Sequence, residues 1–554
     1  MSTPLDRGLE LLAQYSAPAA CAAEILCDRH DPDQVAFTLV DADLSGTDLR
    51  YGELRAESTA VAAGLAGLGV GPGDRVATLL GKSREYLVTV LAIWRLGAVH
   101  VPLFTAFAPA AIAERLEISR AKVVVCDPVQ RPKLDPADGA TRRDWRIVLV
   151  REPGRPGGAP TDVDFAVLAA TPVTTDPTAA MGGDAPMVLI YTSGTTGRPK
   201  GVVLPLRALA TWQVYLEYGL YVTPDDVYWC VADPGWTYGL YSAVLAPMAA
   251  GRRSLFVRSQ FHPATAWQVL GAWQVTNVTA APTVYRAMRA AAGPSPGDLA
   301  VRRAASAGEP LTAEVNQWAP AALGAPVHDH YGQTEAGMLI CNHHHPGLAR
   351  PLRAGSMGHS APGWSGVVLH QERDEPVPPG TPGRIAFDLA ASPMAWFDGY
   401  LDEPEKSAEK FTADRRWYLT GDTGSCDEDG YFWFKGRDDD VILMAGYRIG
   451  PFDVESVLLA HPAVAECAVI AVPDEIRGEV IEAFVVVRGS APTGPDDQAR
   501  LADELRQWVR SRYAAHAYPR TVHFIPELPK THSGKVQRHL LRRQRREQLA
   551  GTAG

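Results

Sequence analysis

Short apolar runs recur along this chain between longer stretches in which apolar positions return at helical spacing. Arg75-Val76-Ala77-Thr78-Leu79-Leu80 and Lys122-Val123-Val124-Val125-Cys126 read as buried strands, and Tyr51 to Leu68 and Arg84 to Leu96 as helices. This alternation predicts an α/β fold with parallel and mixed sheets. Pro- and Gly-rich passages at Glu152 to Pro160 and Glu375 to Gly383 read as surface connections, and no internal repeat interrupts the rhythm. The sharpest change comes at Gly436 to Asp440, where a turn-forming glycine and three aspartates follow the aromatic strand Tyr431-Phe432-Trp433-Phe434. The predicted organisation is a large region of several subdomains over 1–436, a joint at 437–440 and a small α+β unit over 441–554.

The 554 residues can bury a sizeable core, with 46% hydrophobic and 21% charged residues. A net charge of −10 gives no general affinity for nucleic acid. The basic run Arg538 to Arg546 reads as the solvated face of a C-terminal helix. Seven scattered cysteines without a C-x-x-C pair suggest neither a disulfide framework nor a thiolate metal site, and a reducing cytoplasm fits them. The most apolar stretch, Leu87 to Ala106, is broken by Arg95 and His100, so no membrane span is expected.

Candidate chemistry begins behind the apolar run Met187-Val188-Leu189-Ile190, where the chain reads Tyr191-Thr192-Ser193-Gly194-Thr195-Thr196-Gly197-Arg198-Pro199-Lys200-Gly201-Val202. Gly194 and Gly197 let backbone N–H groups approach oxygens that a Cβ would fend off, while Ser193, Thr195, Thr196 and Lys200 add donors. That composition suits a phosphate cradle for a polyphosphate nucleotide. The commoner phosphate loop G-x-x-x-x-G-K-[ST] fails, because Arg198 and Pro199 separate Gly197 from Lys200. Gly81-Lys82-Ser83 and Ser533-Gly534-Lys535 fail it too, with Val76 and Pro529 where the first glycine is needed.

This loop resembles the signature of the adenylate-forming superfamily, which contains acyl-CoA synthetases, peptide-synthetase adenylation domains and luciferases. Further motifs similar to that family follow in order: Ala232-Asp233-Pro234-Gly235-Trp236, Ala307-Gly308-Glu309-Pro310, Tyr331-Gly332-Gln333-Thr334-Glu335, Tyr418-Leu419-Thr420-Gly421-Asp422, Gly436-Arg437-Asp438-Asp439-Asp440 and Ser533-Gly534-Lys535. The stretch from Gly430 to Val487 is most similar to the short- to medium-chain acyl-CoA synthetases. The resemblance implies a mobile C-terminal domain, with ATP, Mg²⁺ and coenzyme A as reactants and a carboxylic acid as substrate.

What the resemblance implies for single residues is specific. Lys535 would reach the carboxylate and α-phosphate, and Thr192 to Gly197 with Lys200 would hold the phosphates. Glu335 ends its motif beside polyphosphate, where a carboxylate needs an intervening cation, so Glu335 and Thr195 are the Mg²⁺ candidates. Asp422 would accept the ribose hydroxyls, assisted by Arg437. Gly308, Glu309, Pro310 and the run Asp329, His330, Tyr331, Gly332, Gln333, Thr334 would form the adenine slot. Asp439 holds the hinge position, after which Ala445, Gly446 and Tyr447 would line the pantetheine path, Arg448 would meet phosphate and Arg477 CoA. The triple His343-His344-His345 reads as a solvated loop, since consecutive side chains diverge and no matching ligand accompanies them.

The acyl group is expected near Trp236, Thr237, Tyr238, Ala307, Gly332 and Thr334. Gly332 stands where acetate-specific relatives carry a blocking tryptophan, which implies a longer acyl chain; Tyr238 is bulky where they are small and opposes it. An adenylating ligase that loads a carrier protein's phosphopantetheine arm is the second enzymatic reading, and a degenerate nucleotide-binding protein the third. Intact Lys200, Glu335, Asp422, Arg437 and Lys535 speak against the last.

Overall fold

The computed structural model describes residues 3–135, 145–151, 158–192, 199–291, 299–437, 440, 442–444, 447–474, 478–489, 494–513, 517–531 and 536–552. Three sheets organise them. The first has seven strands in the spatial order 163–164, 146–149, 123–126, 75–79, 99–102, 186–192 and 200–205. All neighbours run parallel except the last pair. Val123–Cys126 and Val99–Pro102 are buried throughout, as strands covered on both faces must be. The helices Tyr51–Gly67 and Arg84–Arg95 and the strand Arg75–Leu79 match the spacing read from sequence.

Strand Arg75–Leu79 lies between the two strands that follow it in the chain, 99–102 and 123–126, so the connections diverge there. Gly81 N–H donates to Asp127 Oδ2 at 3.0 Å across this point, and Ser83 caps the helix Arg84–Arg95. Structural turn chemistry therefore accounts for Gly81 and Ser83. Arg95 and His100, polar within an apolar stretch, are both buried and bonded, Arg95 to Asp28 at 2.7 Å and His100 to Thr78 at 2.8 Å.

The second sheet has thirteen strands. Its parallel centre includes 228–230, 277–280, 303–307 and 327–333, and antiparallel strands extend it from 337–341 through 432–437 and 417–426. The third sheet is built from 442–444, 447–449, 464–474, 478–487 and 521–524. Lys435 Nζ pairs with Asp453 Oδ1 at 3.1 Å, tying the end of the second sheet to the helix Pro451–Leu459.

Two expectations are corrected. The histidine triple is not a solvated loop: His343 is 4% exposed, and His344 stacks on His328 with ring centroids 3.7 Å apart while its Nε2 bonds the Ala304 carbonyl at 3.1 Å. The triple follows the buried strand Gly337–Cys341 and stays packed against it, and burial lowers the His343 pKa to about 4. The basic run on helix Arg538–Thr552 is likewise not all solvated. Arg538 pairs with Glu455 at 2.7 Å, Arg542 with Asp440 at 2.6 Å and Arg545 with Glu482 at 2.7 Å. Positions three or four apart share a helix face, and this face meets acids of the third unit.

Candidate functional site

A cleft of about 1060 Å³ opens beyond the carboxyl ends of the strands Arg303–Ala307 and Val327–Gln333. Its walls include Lys200 and Thr192 of the first sheet, Gly308 to Thr312 and Tyr331 to Glu335 of the second, and Glu455, Cys467 and Arg538 from the third unit. Ligands commonly sit at this edge of parallel strands, because loops there converge.

Within the cleft a hydrogen-bonded group surrounds Asp422. Tyr331 donates its hydroxyl to Asp422 Oδ2, and Gln333 Nε2 donates to the same oxygen at 2.7 Å and to the Thr420 carbonyl at 2.8 Å. Tyr418 in turn donates to Gln333 Oε1 at 2.8 Å, which fixes the amide's orientation. Arg437 lies 3.9 Å from Asp422 Oδ1, where strand 432–437 pairs with strand 417–426. Burial raises the Asp422 pKa, against the pull of Arg437. The result is an anchored carboxylate able to accept from a diol.

A second group lining the cleft is Lys200, Tyr400 and Glu335. Tyr400 donates to Glu335 Oε1 at 2.7 Å, and Lys200 Nζ stands 5.1 Å from the Tyr400 ring centre. Thr192 and Lys200 are register partners, so the two ends of the Ser193–Arg198 loop are held side by side. Glu335 offers hard oxygen, and the Thr195 hydroxyl would complete a pair of protein ligands of the kind Mg²⁺ accepts beside water and phosphate. The donor chemistry fits; Thr195 itself lies outside the described residues.

On the cleft wall, Gly308 adopts φ +96°, and a Cβ there would stand 2.9 Å from Trp236. Glu309 is committed to Thr283 at 2.5 Å and Arg286 at 2.8 Å, so its carboxylate is part of the wall. Pro310 continues the lining. Asp329 is buried with Ser306 Oγ at 3.4 Å, and burial raises its pKa to about 7. His330 is buried with both ring nitrogens engaged, by Tyr215 at 2.9 Å and the Asn342 carbonyl at 3.0 Å. Its ring belongs to the core.

Around the expected acyl site, Thr237 and Thr334 share a hydroxyl contact at 3.0 Å and Ala307 is buried at the end of its strand. Tyr238 is held by Tyr215 at 2.7 Å and Thr279 at 2.6 Å, which makes it a fixed wall. Gly332 differs from its expected role as simple vacated space. A Cβ there would overlap the Gly337 carbonyl and stand 2.6 Å from Met338 Sδ, so the pairing of strand 327–333 with 337–341 itself requires glycine.

Ser193, Gly194, Thr195, Thr196, Gly197, Asp439, Ala445, Gly446, Arg477 and Lys535 lie outside the described residues; Tyr447 and Arg448 are described only by the backbone of strand Tyr447–Ile449. Lys530 and Val536 form an antiparallel bridge. Tyr400 and Lys410 were absent from the expected site. Lys410 Nζ donates to the Thr420 carbonyl at 2.9 Å and lies 5.3 Å from the Tyr418 ring centre; burial lowers its pKa, opposed by Glu335 and Asp422. Neither residue sits in a motif, and only folding places them there.

The family described as AMP-binding enzyme matches residues 27–401, and the AMP-binding enzyme C-terminal domain matches residues 453–535. The chain is similar to an acetyl-coenzyme A synthetase of Bacillus subtilis (strain 168), 35% identical over 485 residues that cover 85% of this chain and 80% of the relative. It is also similar to the mitochondrial acyl-coenzyme A synthetase ACSM3 of Mus musculus, 36% identical over 477 residues, covering 85% and 80%. Among solved structures it resembles a Brucella canis acyl-CoA synthetase, with TM-score 0.74, 40% identity and coverage of 98% and 97%. An anthranilate CoA ligase, AuaEII, in complex with anthranoyl-AMP superposes with TM-score 0.83 at 28% identity, covering 96% and 99%.

Proposed function

Because this chain belongs to the AMP-binding enzyme family and is an AMP-forming acyl-CoA synthetase, an acid–thiol ligase, we propose that it activates a short- to medium-chain carboxylic acid and passes the acyl group to coenzyme A through the residues assembled in this cleft. The observation that carries the reading is the presence in one cavity of a diol-accepting group, Asp422 with Tyr331 and Gln333, and the Lys200 cation beside Tyr400.

In the first half-reaction a carboxylate oxygen attacks the α-phosphorus of ATP, and the bond from that phosphorus to the β-phosphate oxygen breaks. Lys535 neutralises charge shared by the incoming carboxylate and the α-phosphate, and Lys200 steadies the departing pyrophosphate. Asp422 and Arg437 orient the ribose, and Gly308 to Pro310 with Tyr331 flank the base. Glu335 and Thr195 would hold Mg²⁺, which screens phosphate charge when bound. In the second half-reaction the CoA sulfur attacks the acyl carbon, the carbon–oxygen bond to AMP breaks, and the thiol proton passes to solvent. Residues 441–554 turn at Asp439 between the two, withdrawing Lys535 and presenting Ala445, Gly446 and Tyr447 to pantetheine, with Arg448 and Arg477 meeting phosphate and CoA.

Tyr238, held by Tyr215 and Thr279, supports a limit on acyl length, while the small Ala307 side chain leaves room. Hydrophobic pockets separate neighbouring chain lengths by only about 1–3 kcal/mol per methylene, so a range of acids should react. Seven unpaired thiols support a cytoplasmic setting. The test is a panel of carboxylic acids scored for AMP and pyrophosphate release, with CoA, with a phosphopantetheinylated carrier protein and with neither. Acid-dependent release with thioester formed on CoA supports the reading; acyl transfer to the carrier alone opposes it.

A further inference from the structure

Among the described residues, Arg115 is a buried guanidinium with no ion pair. It lies on helix Pro109–Ser119 and is 7% exposed. Its Nη1 donates to the Ala111 carbonyl of its own helix at 2.8 Å, its Cζ sits 4.3 Å from the Phe107 ring centre, and its Nε has no partner. Among the described residues, the carboxylate acting on it is Glu114, through space and without a hydrogen bond, and burial lowers its pKa. An arginine cannot shed its charge as a buried lysine can, so burial of this kind calls for an anion.

The direction of the side chain says where that anion sits. Long helical side chains lean toward the helix N-terminus, and the bond to Ala111 shows Arg115 doing so. This helix joins two parallel strands of the first sheet, 99–102 and 123–126, so its N-terminal end faces their carboxyl edge. Strand Pro186–Thr192 reaches the same edge, and Arg115 lines the cleft together with Thr192, Pro199 and Lys200. A second unsatisfied group stands nearby. The Tyr191 hydroxyl is buried without a hydrogen-bond partner among the described residues, burial raises its pKa to about 12, and the two residues act on each other electrostatically.

We propose that Arg115, assisted by the Tyr191 hydroxyl, binds the terminal phosphates of ATP and the pyrophosphate they become. The assignment rests on the adenylating reading above. A guanidinium fork matches phosphate oxygens in a bidentate way, and the anion arrives with one substrate and departs with one product. That explains a cation left unpaired by the protein itself.

The test uses inorganic pyrophosphate with the full chain, measured as inhibition against MgATP and by calorimetry, in wild type, Arg115→Met, Arg115→Lys and Tyr191→Phe. Arg115→Met should weaken pyrophosphate binding and raise KM for MgATP about 10- to 100-fold, with KM for CoA unchanged. Arg115→Lys should recover part of the loss, and Tyr191→Phe should cost roughly 3- to 10-fold. Unchanged pyrophosphate affinity in Arg115→Met overturns the proposal, as does a rise confined to the KM for CoA. If the methionine variant does not fold, the lysine and phenylalanine variants decide, and wild-type pyrophosphate affinity in both overturns it. Acid-dependent ATP–pyrophosphate exchange by the wild type, run alongside, separates the two failures. Exchange with indifferent variants refutes Arg115 alone, and no exchange with any acid refutes the adenylating reading beneath it.

Discussion

Tyr400 donates its hydroxyl to Glu335 at 2.7 Å while its ring lies beneath Lys200, so one side chain joins an acidic and a basic residue of the cleft. The carboxylate is thereby oriented before any ligand arrives. A hydrogen bond to a charged group contributes roughly 1.5–3 kcal/mol. Tyr400→Phe keeps the ring and loses this bond, so acyl-AMP formation should fall about 10- to 100-fold. ATP–pyrophosphate exchange measures it, and Tyr400→Ala should lose more because the ring goes too.

Asp329 carries a pH signature. Its pKa is raised by burial from an ordinary 3.8 to about 7. Below pH 4 both folded and unfolded chains are protonated there and the group costs nothing. As pH rises toward 7 the unfolded chain ionises first, and folding loses stability, on the order of 2–4 kcal/mol from this site. Asp329→Asn removes that penalty while keeping an acceptor for Ser306. Thermal unfolding from pH 4 to 8 should therefore show the variant gaining on wild type as pH rises, and parallel curves would contradict the assignment.

Gly332→Ala should destabilise the protein by about 1–3 kcal/mol, because the new Cβ meets the Gly337 backbone and Met338. A tryptophan there cannot enter the cleft without displacing strand Gly337–Cys341. Tm by calorimetry, together with the chain-length profile of whatever folds, checks this. A stable alanine variant with a shortened acyl preference would return Gly332 to the role of pocket floor.

Lys535→Ala should abolish formation of acyl-AMP yet leave thioester formation from supplied acyl-AMP near wild type. Asp439→Pro should do the reverse, since proline fixes φ at the joint. Single-turnover assays of each half-reaction distinguish them, and equal loss of both steps in both variants would contradict a division of labour.

Much of the architecture was legible because its signals are local. Strand Arg75–Leu79 and helix Arg84–Arg95 follow from apolar spacing, and Asp422, Gln333 and Glu335 from contiguous motifs. Tyr400 and Lys410 were not, since neither has a neighbour in sequence that marks it and each reaches the cleft through long-range pairing. The histidine triple and the C-terminal arginines misled for a related reason. Polar residues read as solvated until tertiary partners such as His328, Glu455 and Asp440 are known. Gly332 shows the converse, a glycine whose absent side chain answers to the neighbouring strand as well as to the cleft.

The central claim is that an acid's carboxylate strikes the α-phosphorus of ATP in this cleft. The most direct measurement gives the enzyme a reactive acid labelled with ¹⁸O in both carboxyl oxygens, together with ATP and CoA, and examines the phosphorus products by mass spectrometry. One labelled oxygen in AMP and none in pyrophosphate is the predicted result. Label in pyrophosphate or in inorganic phosphate, or ADP as the nucleotide product, would contradict the account.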